Sequence, residues 1–181
     1  MRSPIKFALG LAAGIALPFF AIAQPAMPED VAFLPEDVAS IDAIIFAVYD
    51  VISGDAGEPR DWERFHSLFA PGATLSPVVQ TETGEFQRRI MSAEIYVEQN
   101  GAALERNGFH EIQIHSVTEV FGQIAHSFST YESRRSSQDV EPFARGINSF
   151  QLMNDGNRWW VVSIYWQAEG PDRPIPGKYG G

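Results

Sequence analysis

The spacing of apolar residues changes period along the chain, and each change marks an element. Ile41, Ile45, Val48 and Ile52 recur at helical spacing, with Ser40 or Asp42 placed to cap the segment. Ile44, Phe46 and Val51 are apolar too, so this helix is expected to be buried on more than one side. Gly54 and Gly57 stop it. Asp61 caps a second, short helix, DWERFHSLF, with Trp62, Phe65 and Phe69 on one face and Pro71-Gly72 at its end. Residues 73–80 and 86–91 read as strands around a turn at Thr83-Gly84-Glu85. Ser92 caps a third helix through Arg106, and Asn107-Gly108 is its left-handed stop. Strand periodicity then takes over, with strands expected over 111–121, 124–134, 146–153 and 158–167. Helices first and long strands afterwards is an α+β order rather than an alternating βαβ one.

Two turns set strand registers. Phe121-Gly122-Gln123-Ile124 places Gly first in a two-residue loop, the type II′ preference, so Phe121 is expected opposite Ile124. Counting back, one face pairs Glu119 with His126, Val117 with Phe128, His115 with Thr130 and Glu111 with Arg134. Its complementary charges suit a surface met by water or a polar partner. The other pairs Val120 with Ala125, Thr118 with Ser127, Ser116 with Ser129 and Ile114 with Tyr131. Small, neutral and rich in hydroxyls, it reads as the lining of a modest cavity. At the second turn, Asp155-Gly156 favours a type I′ loop. Leu152 then faces Trp159, Phe150 faces Val161 and Asn148 faces Ser163. A loop of odd length would exchange the faces.

The last strand, RWWVVSIYWQAE, is apolar on both faces. Its odd residues, Trp159, Val161, Ser163 and Tyr165, are expected to pack inward with Asn148 and Phe150. Its even residues, Trp160, Val162, Ile164 and Trp166, then form an apolar patch on the back of the sheet. A second subunit or the proline-rich tail is expected to cover that patch.

The N-terminus changes the picture of where the protein works. Arg2 and Lys6 precede an uncharged apolar run ending in Ala21-Ile22-Ala23, the pattern of a secretory signal peptide over residues 1–23. An acidic, proline-containing leader follows over 24–39, a folded domain over 40–169 and a Pro/Gly-rich tail over 170–181. The chain has no Cys, so an exported domain must be held by its core, which favours a bacterial periplasmic or secreted protein. Its 13 basic and 23 acidic residues give a net charge of −10, and loss of Arg2 and Lys6 makes it more negative. That field disfavours nucleic acid and anionic membrane as partners. His110 and His115 sit an odd number apart on a strand, on opposite faces, and no Cys/His spacing suits zinc; neither a metal nor a cofactor is expected.

The chain resembles the NTF2-like superfamily, and within it the SnoaL-like group, over roughly residues 40–169. The resemblance is carried by Gly54-Asp55 after the first helix, by DWERFHSLFAPGATL, by GQIAHSFSTYE and by DGNRWWVV, in that order. It implies a cone: a curved, mostly antiparallel sheet wrapped around the N-terminal helices, enclosing a pocket and commonly paired as a homodimer. The superfamily holds isomerases, dehydratases, hydrolases and cyclases, and members that catalyse nothing. Its ketosteroid isomerase branch carries a carboxylate base near the end of the first strand, where this chain has Ser76-Pro77 after Ala73-Thr74-Leu75. That branch also uses a Tyr at the position held here by Ala47, with Tyr49 roughly 200° round the helix.

Candidate chemistry is therefore read from single residues. Tyr131 can donate a hydrogen bond to a carbonyl or developing oxyanion, or it is a core Tyr. His66 borders the buried face of the second helix, as a general base or a helix-flank residue. Glu119 and His126 form a surface pair or an acid–base device. Tyr49, Trp62 and Tyr96 supply aromatic walls, and the expected lining is completed by Ser116, Thr118, Ser127, Ser129, Asn148, Ser163 and Tyr165. These features predict a homodimeric protein that binds a small, largely apolar molecule. The alternatives are a lyase or isomerase using Tyr131 and His66, and a structural dimerisation module. With an inner cavity below roughly 300 Å³, the binding and enzyme readings both give way to the last of these.

Overall fold

The computed structural model describes residues 32–181; the expected signal peptide and the first half of the expected leader lie outside the described residues. Three helices, α1 (Ile41–Ile52), α2 (Trp62–Ser67) and α3 (Ala93–Asn107), accompany six strands. These are β1 (Phe69–Gln80), β2 (Phe86–Arg88), β3 (His110–Phe121), β4 (Ile124–Arg134), β5 (Ala144–Asn154) and β6 (Trp159–Ala168). Their order across the curved sheet is β2-β1-β6-β5-β4-β3. Every neighbouring pair is antiparallel except β1 with β6. The fold is α+β and NTF2-like, as the resemblance implies.

Local chemistry sets the helix ends. Ser40 Oγ accepts from the Ala43 amide, Asp61 Oδ1 from Arg64 and Ser92 Oγ from Ile95, each satisfying an orphan amide of the first turn. Gly108, at φ 69°, ends α3. Ile44, Ile45, Val48 and Val51 of α1 are buried against Phe65, Leu68, Phe150 and Val161, so α1 is buried on several sides as its composition requires. Pro71-Gly72 does not end α2: it lies inside β1, where the pairing with β6 is irregular between Phe69 and Thr74.

The β3–β4 hairpin keeps the register read from its turn over most of its length. Gly122 sits at φ 54° while Gln123 keeps a negative φ, the signature of type II′. Phe121 faces Ile124, Glu119 faces His126 and His115 faces Thr130. Beyond that a bulge at Ile114 shifts the pairing, so Gln113 faces Tyr131 and Glu111 faces Ser133. Glu111 therefore stands on the inner face, not opposite Arg134 on the outer one, because a bulge exchanges the faces of everything beyond it.

In the β5–β6 hairpin two things differ. Asn154 pairs with Trp159, so the loop holds four residues. Asp155 closes it, Oδ1 accepting from the Asn157 and Arg158 amides and Oδ2 from Trp160 Nε1. An even change of loop length keeps the faces, and Val161 is buried opposite Leu152 as expected in kind. A bulge at Val162 then exchanges them. Phe150 pairs with Ile164 and Asn148 with Trp166; Ile164 is 4% exposed, Tyr165 43%. Ser163 and Tyr165 are thus on the back of the sheet, and Ile164 and Trp166 point inward.

The predicted dimer patch dissolves accordingly. Ile164 and Trp166 belong to the interior. Trp160, 3% exposed, is covered by its own chain: the Arg158 guanidinium lies 3.7 Å from its ring centroid and 4.2 Å from that of Phe33. Only Val162 of the four stays exposed on the back. The tail covers another part of that face. Thr130 Oγ1 donates to the Tyr179 carbonyl, the Tyr179 ring packs on Phe128, and Ile175 is buried.

Candidate functional site

At the middle of the inner face a polar network crosses four elements. Tyr49 of α1 shares a 2.7 Å hydrogen bond with Ser129 Oγ of β4 and accepts from Asn148 Nδ2 of β5 at 3.0 Å. Asn148 Nδ2 also donates to Glu111 Oε1 of β3 at 3.2 Å, and Ser133 Oγ donates to Oε2 at 2.8 Å. Ser129 Oγ donates to Gln113 Oε1 at 2.7 Å. No cation touches Glu111 among the described residues. Burial pushes its carboxyl up to about 7, against the two hydrogen bonds that favour the charged form. Burial likewise raises the phenols of Tyr49, Tyr96 and Tyr131, and the nearby Glu111 charge adds to each, so all three are neutral donors at neutral pH.

Two spaces adjoin this network. The inner cavity, about 100 Å³, is walled by Phe65, Leu75, Tyr96, Phe109, Ile164 and Trp166, with Glu111 and Asn148 at one side. That is well below the roughly 300–1,000 Å³ of ordinary ligand sites. The second is a cleft of about 500 Å³ between α1 and the edge strand β3. Asp42, Phe46, Tyr49 and Asp50, one stripe of α1, form one wall with the capping Ser53; His110, Glu111, Ile112 and Gln113 form the other. Glu111 and Tyr49 border this cleft, Glu111 facing the inner cavity as well.

The expected lining residues divide. Tyr49 borders the α1/β3 cleft, while Tyr96 and Asn148 line the inner cavity. Ser116, Thr118, Ser127 and Ser129 are on the inner face, but they divide: Ser127 and Ser129 are fully buried, Ser116 is half-buried, and Thr118 is exposed with its Oγ1 donating to Ser127 Oγ. Their small side chains leave room for α1 to approach, and the Tyr49–Ser129 contact is the result. Trp62 ties α2 to α3 instead of walling a pocket, its Nε1 donating to Glu105 Oε1 at 2.9 Å. Ser163 and Tyr165 are on the opposite face.

The Tyr131–His66 pair does not assemble. The Tyr131 hydroxyl is pressed over Gly146, where an added Cβ would lie 2.5 Å from it. His66 packs on Phe65 at the α2 surface, its Nδ1 buried without a partner. Glu119 and His126 stand opposite each other in the β3–β4 ladder, but their side chains form no ion pair among the described residues: His126 Nε2 meets Ser149 Oγ at 3.4 Å and its ring packs on Phe128. What sequence reasoning missed is Glu111. The alternation of EIQIHS runs unbroken through Ile114, with no Gly or Pro to announce the bulge that turns it inward.

No protein-family model matches the chain, and no curated protein matches it significantly. Solved structures do. A protein of unknown function with a cystatin-like fold from Nostoc punctiforme matches 76% of this chain and 94% of its own, at TM-score 0.54 and 13% identity. An uncharacterised protein with a cystatin-like fold from Caulobacter vibrioides matches 74% and 90%, at TM-score 0.53 and 16% identity. An NTF2-like protein of unknown function from Silicibacter pomeroyi superposes more loosely, covering 72% and 94% at TM-score 0.49 and 18% identity. At such identities the likeness concerns the fold.

Proposed function

We propose that this is an exported protein that binds a small, largely apolar molecule in the cleft between α1 and β3. The supporting observation is the cleft itself, of ligand-sized volume, with exposed Phe46 and Ile112 beside the enclosed carboxyl of Glu111. A pocket with apolar walls and a few convergent polar groups, one with a perturbed pKa, is the usual form of a binding site. The narrow inner cavity is not the ligand chamber in this reading; its aromatic filling stiffens the base of the site. A saturable thermal shift by apolar carbonyl compounds, lost in Phe46→Ala, is the expected result. An unchanged shift in Phe46→Ala would move the ligand elsewhere, and no shift with any compound would remove the reading.

Two other readings each have one observation in their favour. Glu111, with a carboxyl poised near neutral pH and the Tyr49 phenol one Asn148 away, has the equipment of an acid–base lyase or isomerase acting on a cyclic or aromatic compound. In that case Glu111→Gln abolishes turnover and Tyr131→Phe leaves it nearly intact. The small inner cavity favours a structural dimerisation module. A homodimer is proposed here through the exposed Phe121, Ile124 and Val162 at the hairpin end of the back face, and sedimentation of Phe121→Asp, expected to be monomeric, tests it.

A further inference from the structure

The two edges of the sheet are built differently. At one end β2 is three residues long and runs into Arg88-Arg89, a short and charged edge of the kind that resists further pairing. At the other end β3 is twelve residues long and holds no Lys, Arg or Pro. The end of α1 closes only its start, where Ser53 Oγ accepts from the Glu111 amide at 3.0 Å. From Ile112 to Phe121 no backbone group makes a hydrogen bond beyond the β4 ladder among the described residues. The tail reaches the back of the strand, Gly180 lying beside His115, and makes no backbone hydrogen bond to its edge.

Phe121 and Ile124 close the type II′ turn as a hydrogen-bonded pair, and such pairs alternate with non-bonded ones along an antiparallel ladder. Phe121, Glu119, Val117 and His115 therefore turn their amides and carbonyls to β4, whereas Val120, Thr118 and Ser116 turn theirs outward. Exposed Ile114, Val117 and Val120 border these outward groups. Neither Glu119 nor His115 has an ion-pair partner among the described residues.

We propose that this edge pairs with the same edge of a second copy of the chain, antiparallel about a two-fold axis through Val117, so that the two sheets continue as one. The segment is self-complementary about that residue. Ser116 meets Thr118 of the second copy, His115 meets Glu119, and Ile114 meets Val120 at the bulge, with Val117 against Val117. The first pair joins residues whose backbone groups point outward, as a ladder demands. The second sets an imidazole against a carboxylate on the back face, once on each side of the axis. Registers centred on Ser116 or Thr118 set His115 or Glu119 against Val117 instead, and one centred on Glu119 opposes two carboxylates, which is destabilising. The bulge at Ile114 ends the ladder, and the short charged β2 edge offers no third copy a place, so the assembly closes as an isologous dimer. This surface is the strand edge, separate from the back-face contact of Phe121, Ile124 and Val162, and it stands whether or not the cleft binds a ligand.

The test combines sedimentation of the purified protein with amide exchange followed by NMR over a range of concentrations. A reversible dimer is expected, in which the amides of Ser116 and Thr118 become protected as concentration rises. Those of Val117 and Glu119, bonded to β4, should be protected throughout. Thr118→Pro removes an outward N–H while leaving the β4 ladder intact, and should weaken the dimer by about tenfold or more. Glu119→Lys and His115→Glu should each weaken it by about threefold, and the double variant, with the two groups exchanged in sign across the axis, should recover most of that loss. The exchange decides the matter even where the proline variant fails to fold. A protein monomeric at every concentration, or one forming assemblies larger than a dimer, would overturn the proposal. So would a dimer indifferent to Thr118→Pro and to the exchange but lost in Phe121→Asp, which would put the contact at the hairpin end.

Discussion

The two hairpins of this sheet make an instructive pair. In β3–β4 a glycine in a two-residue turn sets the register, and the register runs true from Phe121 back to His115 before Ile114 breaks it. In β5–β6 a carboxylate sets the turn. Asp155 takes two backbone amides and the Trp160 indole, and the break comes only three residues into β6, at Val162. Both bulges fall before the strands reach the site. Glu111 and Gln113 lie beyond one and Ile164 and Trp166 beyond the other, so the residues that build the interior are those whose face a simple count reverses. Bulges near sites re-aim side chains, and here each turns a set of residues toward α1 and α3.

The contrast can be broken most decisively at β6. Ile164→Ala should cost about 2–5 kcal/mol, the range for truncating a buried aliphatic side chain, while Val162→Ala, exposed at the bulge, should cost well under 1 kcal/mol. Chemical denaturation of the two variants measures the difference; equal small losses would return Ile164 to the back of the sheet. At β3, Glu111 has a raised pKa in the folded state, about 7 against an ordinary 4.5. The fold therefore holds its proton more tightly than the unfolded chain does. The stability this supplies is complete below about pH 4.5 and is lost as the pH rises through 7, amounting to about 3 kcal/mol at most. Glu111→Gln should flatten that part of the stability–pH curve. A curve unchanged by the substitution would place Glu111 outside the interior.

The turns themselves give smaller effects. Asp155→Ala strips the β5–β6 loop of three acceptor contacts and should cost about 2 kcal/mol in thermal or urea unfolding. Gly122→Ala forces a side chain into the left-handed region at φ 54° and should cost about 1 kcal/mol. If Gly122→Ala proved the more damaging of the pair, the register of β3–β4 would owe more to its turn than the long ladder behind it suggests.

Much of the fold was legible. The caps Ser40, Asp61 and Ser92, the stop at Gly108 and the type II′ turn at Gly122 are local, each decided by a side chain acting within a few residues of itself. The apolar spacing of α1 likewise declared a helix buried on several sides. The site was legible only in part. Of the expected lining only Tyr49 borders the cleft, Tyr96 and Asn148 lining the narrow inner cavity instead, whereas Ser129 of the hydroxyl row, read as a cavity lining, meets α1 through Tyr49. A small polar face accommodates either, and the choice depends on how closely α1 approaches.

The sequence by itself determined the α+β order of elements, their boundaries to within a few residues, and the acidic character of the chain. These follow from periodicity, capping and composition, which act locally or simply add. The tertiary structure decided which residues meet. Two bulges, unmarked by any Gly or Pro in their strands, chose the face of Glu111 and of Ile164. The packing of α1 on the sheet filled the interior and opened a cleft at its edge. A face assignment is a sum over every pairing between turn and site, so a single unannounced insertion reverses it. That is why Glu111, the most chemically distinctive group in the protein, was hidden in an ordinary alternating strand.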